Sequence, residues 1–221
     1  MPLYGKGMKG KVTYSYQKHL DKLTITRESR VKKPRGVRVT YYDNESHWLY
    51  HNTTLKQMQK NMGLNITEII RKKIKPNQPP IVVEWGCSNG VALAGIARKF
   101  GEKAKYYGLS HRAYPEWMTS KSLKRIKLIH APAEDFFRYF KDASIDVFYA
   151  HQALHWLAEQ PEYIKRVLPK LKVGGVLATT IDSERLEEFI QLSKKSKPLK
   201  IGKSTYKVES NGRGLAFTRL N

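Results

Sequence analysis

From Ile81 onward, short apolar runs alternate with segments of helical spacing, and that rhythm leaves the chain few architectures to choose from. Residues 81–84, 105–109, 126–130, 145–150 and 176–181 read as strands. Between and after them, helical patterns fall around residues 92–100, 117–123, 133–140, 153–157, 163–170 and 183–194. Strands that alternate with helices are joined by right-handed crossovers, so the sheet is mostly parallel and covered on both faces. The rhythm then changes. Residues 206–209 and 215–219 flank Ser210-Asn211-Gly212-Arg213-Gly214, which predicts a closing antiparallel hairpin. The expectation is an α/β fold with seven strands in three αβα layers.

Upstream, Leu55, Met58, Met62, Ile66, Ile69 and Ile70 recur at three- and four-residue steps, predicting a helix over residues 54–75. Gly63 and Asn65 offer a break inside it, and Pro76, Pro79 and Pro80 stop it before the first strand. His47 and Trp48, just ahead, either line a ligand mouth or staple this helix to the core. The stretch before Val39 is different in kind. It carries 11 Lys and Arg against Asp21 and Glu28, broken by Gly5, Gly7, Gly10, Pro34 and Gly36. Residues 1–53 are therefore read as a basic arm, partly disordered until it meets a partner, and residues 54–221 as the folded domain. Tyr4, Tyr14 and Tyr16 either stack on bases or pack on that domain.

Charge narrows the partners. With 41 Lys plus Arg against 19 Asp plus Glu, the chain carries a net charge of +22, beyond what solubility asks. A field of that sign attracts polyanions, nucleic acid foremost, with anionic lipid or a general lysine bias as the plainer readings. The exposed-looking cluster Lys121, Lys124, Arg125 and Lys127 adds a second candidate phosphate-holding patch. Nothing approaches the roughly 18 apolar residues of a membrane span, and the first residues lack the apolar core of a secretory signal. Cys87 is the single cysteine, which excludes an intrachain disulfide and suits a reducing, cytoplasmic setting.

The chemistry centres on Glu84-Trp85-Gly86-Cys87-Ser88-Asn89-Gly90, set between the apolar run Ile81-Val82-Val83 and the helical Val91-Ala92-Leu93-Ala94. A buried strand here delivers Glu84 to the carboxyl edge of the sheet. Gly86 and Gly90 permit a sharp turn and close approach of backbone to a ligand, and the following helix presents unpaired N–H groups. By itself this glycine turn is a weak signal.

Four segments in order make it stronger. The loop 84–90, Ala133-Glu134-Asp135 after the third strand, residues 145–157 (Ile-Asp-Val-Phe-Tyr-Ala-His-Gln-Ala-Leu-His-Trp-Leu), and Leu168-Pro169-Lys170-Leu171-Lys172-Val173-Gly174-Gly175 are each similar to the motifs of one family. From about Pro80 to Leu220 the chain resembles the class I S-adenosylmethionine-dependent methyltransferases. The resemblance implies a Rossmann-like fold and S-adenosylmethionine as cofactor. It implies cofactor contacts at Glu84, Gly86, Cys87, Ser88, Asn89, Gly90, Ser110, Glu134, Asp135, His151 and Gln152. Asp135 would accept from the adenine amine, and Phe136 either packs on the adenine or belongs to the core. Two departures stand out: Ser88 replaces the middle loop glycine, and Ser110 replaces the acid that grips the ribose hydroxyls. A serine hydroxyl offers roughly half the strength of a charge-assisted bond.

Methyl transfer asks the protein for alignment and, where needed, a base near neutral pKa. His151, at the end of the fourth strand, is the candidate, while His155 has the plainer role of packing under the cofactor. His151, His155 and Glu159 at four-residue spacing do not make a metal signature, and no metal is expected. Cys87 lies inside the cofactor loop, where a covalent nucleophile would not meet its substrate. Ala150-His151-Gln152-Ala153 also lacks the Asn-Pro-Pro-Tyr arrangement of adenine amino-methylation. Three readings remain: an RNA or ribonucleoprotein methyltransferase, a small-molecule or protein methyltransferase, and a silent nucleic-acid-binding protein on the same fold.

Overall fold

The computed structural model describes residues 53–111, 114, 116–132, 139–154, 160–181 and 184–221. The basic arm, His47, Trp48, Glu134, Asp135, Phe136, His155 and Glu159 lie outside the described residues. Two helices open the domain, α1 (Leu55–Met62) and α2 (Ile66–Lys73). Their separation follows from cap chemistry. Thr54 accepts from the Gln57 N–H to start α1, Gly63 ends it in the left-handed region at φ 61°, and Asn65 accepts from the Glu68 N–H to start α2. The single pattern over residues 54–75 is thus two short helices.

The β/α succession follows as β1 (Ile81–Trp85), α3 (Val91–Phe100), β2 (Lys105–Ser110), α4 (Glu116–Thr119), β3 (Ile126–His130), β4 (Ile145–Ala150), α5 (Gln160–Val167), β5 (Leu171–Thr180) and α6 (Glu187–Lys194). Three short antiparallel strands end the chain: β6 (Leu199–Ile201), β7 (Ser204–Ser210) and β8 (Gly214–Arg219). The sheet runs β3-β2-β1-β4-β5-β8-β7-β6, parallel as far as β5 and antiparallel beyond. It has eight strands where seven were expected. The addition is β6, whose three residues Leu199-Lys200-Ile201 are too few to show an alternation, yet Leu199 pairs with Tyr206 and Ile201 with Ser204 around a turn at Gly202.

The fifth strand also starts earlier than its apolar run. Gly174 at φ 76° bends it, so that Ile145 pairs with Leu171 while Val147 pairs with Val176. Gly175 passes so close to β4 that an added Cβ would lie 2.8 Å from the Ile145 carbonyl oxygen.

Alternate strand residues feed two cores, which confirms the three layers. Val83, Trp85, Phe148 and Leu177 face Tyr163, Ile164 and Phe189 of α5 and α6. Val82, Val147 and Tyr149 face Met58, Met62, Ile66, Ile70, Leu93 and Ile96 of α1, α2 and α3. Each of the Met and Ile side chains in that second set is fully buried and stabilises the fold by about 1.5–3 kcal/mol. Among the described residues no helix is long and apolar enough to cross a membrane.

Candidate active site

Strand order reverses between β1 and β4: β2 and β3 extend the sheet to one side, β5 to the other. In open parallel sheets a ligand crevice forms at the carboxyl ends of strands flanking such a switch. Here those ends carry Glu84, the loop 86–90, and His151.

The loop is held by its neighbours. The N–H groups of Gly86 and Cys87 both donate to the Leu109 carbonyl at the end of β2, at 2.8 and 3.0 Å, and the Trp117 indole donates to the Ser88 carbonyl at 2.8 Å. Ser88 adopts φ 50°, so the position where the family pattern has glycine keeps a glycine-like backbone at a cost of about 1–2 kcal/mol. Gly90, at φ 84°, precedes α3 and has no side chain to cap it. Cys87 turns inward: it is buried, and burial together with the nearby Glu84 pushes its thiol pKa well up. Only its backbone remains for a ligand. Asn89 accepts from the Val91 N–H at 3.4 Å.

Glu84 has two jobs. One is structural, because its carboxyl accepts from the backbone N–H of Leu93 and so caps α3 in place of the missing Gly90 side chain. The other is unfilled. Burial raises its pKa from 4.5 to about 8, and the Tyr149 hydroxyl and the Leu93 N–H only partly offset that rise. Tyr149 is its register partner on β4, yet Oε2 of Glu84 and the Tyr149 hydroxyl close no hydrogen bond of good geometry with each other or with any described residue. A buried carboxyl held protonated at neutral pH, with Oε2 unpartnered among the described residues, suits a hydrogen-bonding ligand group.

Ser110 ends β2 at 2% exposure, and its carbonyl accepts from the Ala131 N–H at 3.0 Å. His151 follows β4, half-buried, with Nε2 at 3.1 Å from Asn61 Nδ2 of α1. Gln152 is exposed and sits at φ 49°, its N–H donating to the Thr180 hydroxyl at 3.0 Å. Glu84, the loop 86–90, Ser110, His151 and Gln152 thus all reach the carboxyl edge. The Lys121, Lys124, Arg125 and Lys127 cluster is exposed and leads away from it, toward the amino end of β3. Sequence reasoning missed Asn61, Tyr149 and Trp117. The even spacing of Gln57 and Asn61 on one helix face was the only available hint.

Comparison with known proteins agrees with the fold. The family described as "Methyltransferase domain" matches residues 83–179. The trans-aconitate 2-methyltransferase of Deinococcus radiodurans is 29% identical over 101 residues, 45% of this chain and 37% of that protein. The chain therefore spans well under half the length of that curated relative. Among solved structures, the plantazolicin methyltransferase BpumL in complex with SAH superposes with a TM-score of 0.53 at 13% identity, covering 95% of this chain and 99% of that one. An rRNA methylase from Streptococcus thermophilus gives 0.50 at 19% identity, covering 71% and 95%. At such identities the two structures speak for the fold alone.

Proposed function

We propose that this chain, whose residues 83–179 form a class I S-adenosylmethionine-dependent methyltransferase domain, moves a methyl group from that cofactor to RNA. The observation that carries the cofactor assignment is the partnerless buried oxygen of Glu84 at the β1–β4 switch. Glu84, the backbone of the loop 86–90 and Ser110 would hold the cofactor. Once bound, it supplies an electrophilic methyl group on a sulfonium. The chain's own residues align the acceptor and manage its proton. His151, at the end of β4, receives the proton that the acceptor atom releases and passes it to solvent.

Support for RNA comes from surface charge. Residues 98–105 and 116–127 hold Arg98, Lys99, Lys103, Lys105, Lys121, Lys124, Arg125 and Lys127, all exposed, against Glu102 and Glu116. Part of this surface sinks into a cavity of about 390 Å³ whose charged lining is Glu102, Lys105, Arg125 and Lys127. Clustered cations hold phosphates, and the basic arm 1–53 carries charge of the same sign. The patch is the proposed docking surface, at the opposite end of the strands from the proposed site of catalysis.

A small-molecule acceptor is the second reading, and it rests on the likeness to trans-aconitate 2-methyltransferase. Transfer of label from S-adenosylmethionine into cell extract separates the two. Label removed by RNase supports RNA, whereas label resistant to RNase and protease supports the small molecule. Replacing Arg125 and Lys127 together by Gln reduces the salt slope of RNA binding by roughly 1 to 2. An unchanged slope removes the patch from the interface.

A further inference from the structure

A basic groove runs between α1 and α3. On α3, Val91, Gly95 and Arg98 recur at four- and three-residue steps and so share one face, with Lys99 beside them. Leu55, Lys56 and Gln59 of α1 meet them around a cavity of about 390 Å³, whose lining Thr54 and Thr67 complete. The helices approach closely because residue 95 is glycine: a Cβ there would lie 3.0 Å from the Leu55 Cβ. Lys56, Arg98 and Lys99 are exposed, and among the described residues no carboxylate lines the groove. Gln59 adds a neutral donor. Its Oε1 accepts from the Thr67 N–H at 2.9 Å, which leaves the two Nε2 hydrogens to a ligand or to water.

This groove spans the distance between the two ends of the strands. Val91, 38% exposed, opens α3 directly after Gly90 of the loop 86–90. Arg98 and Lys99 lie in the last turn of α3, and a Cβ at Gly101, just beyond, would lie 3.4 Å from Arg125 Nη1. There the groove meets the docking patch, where Glu102 is outnumbered by Lys105, Arg125 and Lys127. The ten residues of α3 cover about 15 Å between these points.

We propose that the groove carries the phosphates of an RNA strand from the Arg125 patch along α3 to the crevice beside Gly90. The proposal rests on the reading of RNA as the methyl acceptor. It supplies a basic path between docking at one end of the strands and catalysis at the other. Cations and neutral donors along a groove track a nucleic-acid backbone. Charge also selects the occupant. Residues 1–39, with 11 Lys and Arg against Asp21 and Glu28, carry the groove's own sign and are repelled from it. The dipole of α3 accounts for cations in its last turn, Arg98 and Lys99, but not for Lys56. That residue sits in the first turn of α1, where a positive charge opposes the helix dipole.

Binding of the full chain to a fluorescent single-stranded RNA of mixed sequence, titrated at several salt concentrations, tests this. Lys56→Gln with Arg98→Gln takes one charge from each wall. It should flatten the plot of log K against log salt by roughly 1.4, two phosphates at about 0.7 each on a single strand. In methyl transfer into total RNA, the RNA concentration giving half the maximal rate rises while the maximal rate holds. An unchanged affinity for S-adenosylmethionine, read by calorimetry, shows that the fold persists. Lys200→Gln with Lys203→Gln, exposed at the far edge of the sheet, removes the same charge and should leave the slope alone. A slope unmoved by the Lys56 and Arg98 pair overturns the groove's role, and the RNA reading still stands if Arg125→Gln with Lys127→Gln flattens it. Equal flattening by the Lys200 and Lys203 pair also overturns it, because net charge then explains the effect. Label from S-adenosylmethionine that resists RNase removes the RNA reading itself, and the groove's role with it.

Discussion

The indole Nε1 of Trp117 donates to the carbonyl oxygen of Ser88 across 2.8 Å, tying the segment after β2 to the loop after β1. Ser88 is the loop residue in the left-handed region at φ 50°, so the bond holds the least comfortable part of the backbone. Trp117→Phe keeps most of the buried ring and removes the donor. It should cost about 1 kcal/mol of stability and raise the dissociation constant for S-adenosylmethionine roughly three- to tenfold. Urea unfolding and calorimetry read both quantities. An unaltered affinity would mean the loop holds its shape without Trp117.

Glu84 gives stability a pH dependence whose sign is fixed. Its folded pKa, about 8, lies above its ordinary 4.5. Between those values the folded chain keeps a proton that the unfolded chain has released, so this contribution is whole at low pH and fades as pH rises toward 8. Glu84→Gln retains an oxygen for the Leu93 N–H and abolishes the titration. The variant should gain on the wild type steadily from about pH 5 to about pH 8.5, as followed by urea unfolding without cofactor. A constant difference across that range would refute the raised pKa.

Where the sequence was legible, the physical cause was local. Ile81-Val82-Val83 and Val147-Phe148-Tyr149 are strands buried on both faces, and such runs announce themselves. The break between α1 and α2 was readable because Gly63 and Asn65 are cap residues acting on their own neighbours. The position of the crevice followed from the rhythm of strands and helices. What stayed hidden depends on contacts with no fixed spacing. Asn61 and His151 are 90 residues apart, and a helix capped from a strand, as Glu84 caps α3, has no sequence signature. Cys87 was placed among cofactor contacts by its neighbours in the loop, while the turn after β1 directs its side chain into the core.

That inward turn makes Cys87 unreactive. Its sulfur occupies the space a Cβ at Gly108 would need, 2.8 Å away, and burial holds the thiol protonated. A disulfide reagent should modify it in the native chain about two orders of magnitude more slowly than in denaturant. Rapid native modification would place the sulfur at the surface of the crevice. Gly108→Ala should raise the reactivity by forcing the sulfur aside.

Gly86 offers the sharpest test of how the two sides of the crevice meet. Its backbone is left-handed at φ 74°, and a Cβ there would fall 2.3 Å from the Cβ of Ala153, in the segment after β4. The glycine is thus required twice, once by its own dihedral and once by the close approach of the β4 side. Gly86→Ala should destabilise the fold by about 2–4 kcal/mol, combining backbone strain with overpacking. Adding Ala153→Gly removes the overpacking and leaves the strain, so the double variant should recover about half of the loss. Full recovery would assign the whole requirement to packing against Ala153. No recovery would assign it to the turn of the loop alone, and would mean that the β4 side can withdraw from Gly86 without cost.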